Sequence, residues 1–451
     1  MRPRNFFVAT LLTLTLCASP ETAVANKVGG VCKKLGATKT IKNVSVVCKK
    51  ERKKLIWVEV RKRPTPTPTP TPTYVETEAS RFIDPSRCQI SRPVDADDSM
   101  GHYGFPRGKD FLPSQGVFTG LIIPVEFSDA IATKTPEENM KPYVEDFVAF
   151  WKEMSKGSVN FELTTLKNWV SMPKRAQDYA GKWPHNPQME QYVREVIAKV
   201  DDSVDFSKYK IVYIIPVDDV TNFFEFGPVV ASGNSDYFKS AEGPIQNLVV
   251  GSNPSISMGG VKWKWLAHET GHLFGIFHPH SYENNDKKLA SIFSLMDFGY
   301  VAPGLYGWER WLVDWIPSVN IRCFDFSNAN SNVQHLHKLV PIGSTSGVEL
   351  VIYRVSEQRA LVLENRRATK FDKLLSEYEG VLVYEVNSAK YEGAITPVLG
   401  TRFVIDQSQP NYNGSRVVGT LRKGELVNFN GLRISILDNS GEDFIVQVTS
   451  S

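Results

Sequence analysis

The residues of this chain best suited to chemistry lie in one short stretch, His268-Glu269-Thr-Gly-His272-Leu-Phe-Gly275-Ile-Phe-His278. On a helix, side chains four residues apart stand one above the other, so His268 and His272 can direct both imidazoles at a single metal ion. Glu269 sits at the edge of that face, placed to hold a water without becoming a ligand. Gly275 can adopt a positive φ, end the helix and turn the chain back, which lets His278 supply a third nitrogen. Three protein ligands leave one coordination position open, the mark of a catalytic zinc site. The chemistry implied is hydrolysis, with zinc acidifying a water and polarising a carbonyl while Glu269 takes the proton and returns it to the leaving group.

The string HExxHxxGxxH resembles the metzincin metalloproteases, which also carry a methionine turn beneath the metal. Met296, in Ser294-Leu-Met296-Asp-Phe298, is the candidate for that turn, 18 residues beyond His278. Several metzincin groups place a metal-reaching tyrosine two residues after this methionine. Here that place is Phe298, and Tyr300 is out of register. His280, behind Pro279, reads as a rim residue.

These side chains need a scaffold, and the hydrophobic pattern supplies one. Val117 to Phe127 is apolar enough for a buried strand, and Pro136 to Met154 shows helical spacing that stops at Gly157. A strand at Val159 to Leu163, a helix at Gln188 to Val200 and strands at Tyr209 to Val217 and Gln246 to Val250 lead into the metal helix, Val261 to Phe274. An edge strand for substrate is expected between Phe223 and Ser232. The alternation predicts an α/β layer with a mixed sheet. A short Trp-rich helix, Leu305 to Trp315, should pack under the site. Strand signals at Glu349 to Val355, Ala360 to Glu364, Gly380 to Val386, Leu432 to Leu437 and Phe444 to Val448 predict a β-rich C-terminal domain.

Within this frame, Leu121-Ile-Ile-Pro-Val-Glu-Phe-Ser-Asp129, Ser155-Lys-Gly157, Gly307-Trp308, Trp315-Ile316, Leu361-Val-Leu-Glu364-Asn-Arg366 and Gly380-Val-Leu-Val-Tyr-Glu-Val386 resemble the immune-inhibitor-A-like secreted bacterial metalloproteases. The likeness covers roughly residues 85 to 450. It implies an extracellular zinc endopeptidase, with His278 standing where that family often uses a carboxylate.

Residues 1–25 read as a secretory leader, with Arg2 and Arg4 ahead of an apolar run too short to span a bilayer and Ala23-Val-Ala25 at the cleavage site. No other run is long enough for a transmembrane segment. In a secreted chain the four remaining cysteines, Cys32, Cys48, Cys88 and Cys323, are disulfide candidates. Their distribution favours Cys32 with Cys48 and Cys88 with Cys323, although three pairings are formally open. The alternative is a free Cys88 thiolate capping the zinc in a latent form.

Residues 26–63 carry 13 Lys or Arg against two Glu, a net of +11, whereas residues 64–451 sum to −9. This is a small basic Cys-paired module of two or three strands joined to an acidic body. The partner expected for it is an anionic cell-surface polymer. Nucleic acid is not expected, since the chain is exported and the module offers one aromatic, Trp57. Residues 64–84 form a Pro/Thr-rich linker whose Pro-Thr repeat favours extended polyproline II. The remaining domains expected are a zinc metalloprotease domain at 85–335 and the β-rich domain at 336–451. No calcium loop is evident, so a structural Ca2+ lacks support. No Ser-His-Asp order or phosphate-cradling glycine loop appears. The rival from another class is a catalytically silent surface-binding protein on a metalloprotease scaffold.

Overall fold

The computed structural model describes residues 27–60, 74–96, 98, 101–180, 187–218, 220, 237–251, 261–279, 293–297, 304–328, 332–372, 378–391, 393–398 and 420–450, with the backbone of 229–230, 403–405 and 416–418. The expected leader and the Pro-Thr repeat lie outside the described residues. The chain divides into two compact units, Met1–Thr73 and Tyr74–Ser451.

In the first unit, Thr38–Ile41, Val44–Glu51 and Lys54–Glu59 form a three-stranded antiparallel sheet. Lys42 and Asn43 both take positive φ in the two-residue turn between the first two strands, which suits the twist of a tight hairpin. So small a sheet buries little, with Cys32, Ile41, Val46, Cys48 and Trp57 as its core. The Cys32–Cys48 disulfide closes it, as a domain this size requires.

The second unit is mixed α/β. Its first sheet runs Val159–Thr165, Gly116–Phe127, Ile211–Pro216, Leu248–Val250, Val229–Val230, with Val170–Met172 also pairing with Gly116–Phe127. All pairings are parallel except the last, in which Val229–Val230 runs antiparallel to Leu248–Val250 at the sheet edge. That edge strand falls in the interval expected for it. Alternation along the central strand feeds two cores. Phe118 and Ile122 face the helices Pro136–Met154 and Lys262–Leu273, while Leu121, Ile123 and Val125 face the helix Pro187–Val200. Burial on both faces explains why this strand is apolar throughout. A capping box between Thr135 and Glu138 starts the helix Pro136–Met154, and Lys156 and Gly157, both at positive φ, end it.

A five-stranded sheet follows, in the order Ile321–Asp325, Leu350–Arg354, Arg359–Arg366, Gly380–Asn387, Ile395–Pro397. A four-stranded sheet runs Gln334–Leu339, Asp443–Ser450, Leu432–Ser440, Leu426–Phe429. Val351, Tyr353, Leu361 and Leu363 pack against Ile434, Ile436, Val446 and Val448, so the two sheets form a sandwich. The opposite face of the five-stranded sheet, through Ile352, Val362 and Tyr384, packs on Trp308, Trp311 and Leu312 of the short helix Gly307–Leu312.

Two boundaries differ from the sequence expectation. Residues 74–84, grouped above with the linker, belong to the second unit, where Thr77 exchanges hydrogen bonds with Leu336. The β-rich part begins at Ile321 rather than at 336, because Ile321–Asp325 pairs in parallel with Leu350–Arg354. A cut between 335 and 336 would fall inside the strand Gln334–Leu339.

Candidate metal centre

The helix Lys262–Leu273 presents His268, Glu269 and His272 on neighbouring positions, with His268 and Glu269 buried. Its C-terminus folds as the sequence requires. Gly275 has φ +77°, its N–H donates to the His272 carbonyl at 2.9 Å, and the Ile276 N–H donates to the Gly271 carbonyl at 3.1 Å. This glycine-ended pair of hydrogen bonds satisfies carbonyls that a helix end would otherwise leave bare. The turn also brings the Ile276 carbonyl back onto the helix, 2.9 Å from His272 Nδ1. Carbonyls only accept, so His272 carries its proton on Nδ1 and leaves Nε2 with a lone pair. His268 is fixed in the same way by the Leu295 carbonyl, 2.7 Å from its Nδ1.

One ring nitrogen from each of His268, His272 and His278 lies within 4.8 Å of the others, the one such group of metal-binding side chains found among the described residues. His268 Nε2 and His278 Nε2 are 3.0 Å apart. Ligand nitrogens on a tetrahedral zinc, each about 2.0–2.1 Å from the ion, are about 3.3 Å apart, so the His268–His278 pair stands close to the spacing such an ion needs. Two outward-facing Nδ1–H groups held by carbonyls are the supporting bonds that orient metal-binding histidines. Burial lowers the His272 pKa to about 4, against the opposing Ile276 hydrogen bond, which keeps the ring in its neutral ligand form. Burial pushes Glu269 up to about 8, opposed by the nearby Trp265 indole. The Trp265 Nε1 itself closes no well-formed hydrogen bond. A divalent cation beside Glu269 would favour its charged form.

Met296 is fully buried and lies directly against the helix, since a Cβ on Gly271 would stand 2.3 Å from its Sδ. Phe298, Tyr300 and His280 lie outside the described residues. Cys88 is not a thiolate at the metal. It is bonded to Cys323, and the strand containing Cys323 draws it into the core beneath the Trp helix.

Sequence reasoning missed the side chains that brace the third histidine. Arg107 Nη1 donates to the carbonyls of Phe274 and Leu112 at 2.8 and 2.9 Å, capping the helix end with a cation where the dipole favours one. Tyr103 donates to the carbonyl of Phe277, next to His278, and also lies 3.1 Å from Glu309 Oε1. Glu309 is fully buried and accepts from Ser294 Oγ at 2.7 Å and the Tyr306 N–H at 2.8 Å. It therefore joins the Met296 turn to the His278 loop. Burial raises its pKa to about 8 against those hydrogen bonds. Tyr103 and Arg107 come from a stretch with no periodic pattern, and Glu309 from a helix read only for its tryptophans, so tertiary contacts alone reveal them. Compared with family models and with curated proteins, the chain matches none.

Proposed function

We propose that this chain is a secreted zinc-dependent endopeptidase of metzincin type, resembling the immune-inhibitor-A-like enzymes. The observation that carries the reading is the convergence of three imidazole nitrogens beside a buried carboxylate on one helix. His268, His272 and His278 would hold one zinc ion, and Met296 would form the floor of the site. Zinc, when bound, supplies Lewis acidity that acidifies water and polarises a peptide carbonyl. Glu269 takes a proton from the attacking water and delivers it to the departing amine. The edge strand Val229–Val230 offers backbone groups along which an extended substrate could align.

Two disulfides are compatible with an extracellular setting, and no helix among the described residues is long and apolar enough to cross a membrane. The lysine-rich first unit, whose Lys33, Lys34, Lys49, Lys50, Lys53 and Lys54 are all exposed, would tether the enzyme to an anionic surface polymer. The test is cleavage of casein, its loss on chelation, and its return with zinc. Glu269→Gln should keep one zinc per chain and the fold while lowering turnover about 10²–10⁴-fold. Full activity in that variant refutes the mechanism.

A further inference from the structure

We propose that Arg366 is a positioning residue for the metal centre, a clasp by which the C-terminal sheet holds the Met296 turn against the HExxH helix. The inference rests on the zinc reading above. Arg366 ends the strand Arg359–Arg366 and is fully buried. Its Nη1 donates to Glu364 Oε1 at 2.9 Å and to the Leu305 carbonyl at 3.2 Å. Its Nη2 donates to Asp372 Oδ2 at 2.6 Å and to the Phe293 carbonyl at 2.9 Å. Phe293 and Leu305 are the two stems of the loop that contains Met296, and Leu295 N–H to Gly304 carbonyl, 2.7 Å, ties the same stems one step further in. One guanidinium thus holds both ends of the loop, and its plane also lies over the Phe293 ring, 5.6 Å from the centroid.

The geometry calls for arginine. Two carboxylates and two carbonyls are met by four separate N–H directions from a planar fork, which the single ammonium of lysine cannot reproduce. Both acidic residues are themselves anchored. Glu364 Oε2 accepts from the Gly307 N–H and the Tyr384 hydroxyl, each at 2.7 Å, whereas Asp372 is held through its backbone, its N–H donating to Thr369 Oγ1 at 2.9 Å. A buried ion pair of this kind contributes little to stability compared with apolar packing, whereas no apolar residue could grip two loop carbonyls. The grip reaches the metal by two contacts already described. The Leu295 carbonyl sets the His268 tautomer, and Met296 backs Gly271.

The test compares wild type, Arg366→Lys and Arg366→Met in the full chain by zinc affinity in chelator competition and by the visible spectrum of the cobalt-substituted protein. Stability is measured in parallel with metal removed. Lysine preserves the charge, so a role limited to charge balance predicts wild-type metal affinity in Arg366→Lys. The clasp predicts an affinity weakened about 10–100-fold and an altered cobalt spectrum in a variant that still folds. Hydrogen exchange on the wild type covers the case in which the variants do not fold. Removing zinc should speed exchange in Arg359–Arg366 more than in Leu432–Ser440, because coupling between the sites is reciprocal. Wild-type affinity in Arg366→Lys, or equal response of the two strands to zinc, overturns the clasp. A wild-type chain that takes up no zinc overturns the metal reading, and the clasp with it.

Discussion

Replacing Gly271 by alanine sets two effects of opposite sign against each other. In a helix interior, glycine costs about 0.5–1 kcal/mol relative to alanine, so the substitution in Lys262–Leu273 should stabilise if nothing lies beside it. Met296 does lie beside it. A Cβ would stand 2.3 Å from Sδ and 2.8 Å from Cε, well inside contact distance, and Met296 has no exposed surface into which to retreat. Overpacking of this kind costs about 1–3 kcal/mol, so Gly271→Ala should destabilise by a net of about 1 kcal/mol. Met296→Ala alone should cost about 2–5 kcal/mol through the cavity it leaves. In that background the new methyl has room, and Gly271→Ala should stabilise by about 0.5–1 kcal/mol. The two substitutions are therefore coupled by about 2 kcal/mol, far above the scatter for independent sites. Urea unfolding of the four proteins in chelator, at constant slope, measures the cycle without a contribution from metal. If Gly271→Ala is stabilising in the wild-type background, Met296 does not press on the helix and the floor assignment fails.

Three further outcomes follow from features of the second unit and its disulfide. Burial lowers His335 to about 4, helped by Arg81, and His337 to about 3, helped by His335 and Arg322, with the Tyr353 hydroxyl 3.0 Å from each ring and Phe82 and Phe324 packed around them. Both bind protons more weakly folded than unfolded, so the stability they confer is complete above about pH 6.5 and is lost as pH falls from there toward 4. The acid limb should steepen by close to two protons, about 2.7 kcal/mol per pH unit, and His335→Gln with His337→Gln should remove that increment. A chain stopped after residue 335 should be insoluble, because Trp308, Trp311 and Leu312 lose the sheet that covers them; a soluble, folded fragment would contradict the layering. Thiol titration of the denatured, unreduced protein should find no free thiol among Cys32, Cys48, Cys88 and Cys323, and one reactive Cys88 would restore the latent-form reading.

The parts legible in sequence were those whose neighbours are close in sequence. The helix Pro136–Met154, the HExxH spacing and the Gly275 turn rest on local periodicity and on one backbone requirement. The strand Gln334–Leu339 escaped notice because its inward face is His335, His337 and Leu339, and two histidines read as surface until Tyr353 is seen to partner them. Ile321–Asp325 is equally mixed in polarity, and its parallel partner lies beyond an intervening strand. Arg366 lies beyond the strand expected at Ala360 to Glu364 and entered the sequence reading only through the family likeness. Its burial depends on acceptors at Phe293, Leu305 and Asp372, of which sequence gives no sign.

The Cys88–Cys323 link spans 235 residues, and its surroundings are equally far apart in the chain. Ile83 bridges Cys323, the Ser91 N–H donates to the Glu357 carbonyl, and Ser388 Oγ donates to the Ser91 carbonyl. A chain made from its N-terminus thus exposes its residues 83–91 long before their partners exist, and contacts so distant in sequence are slow to form. The HExxH helix is synthesised before the five-stranded sheet that backs it through the Trp helix. The backing of the histidine cluster is therefore completed only after the strands of that sheet, which end at Pro397, have emerged, whatever the speed at which the HExxH helix itself winds.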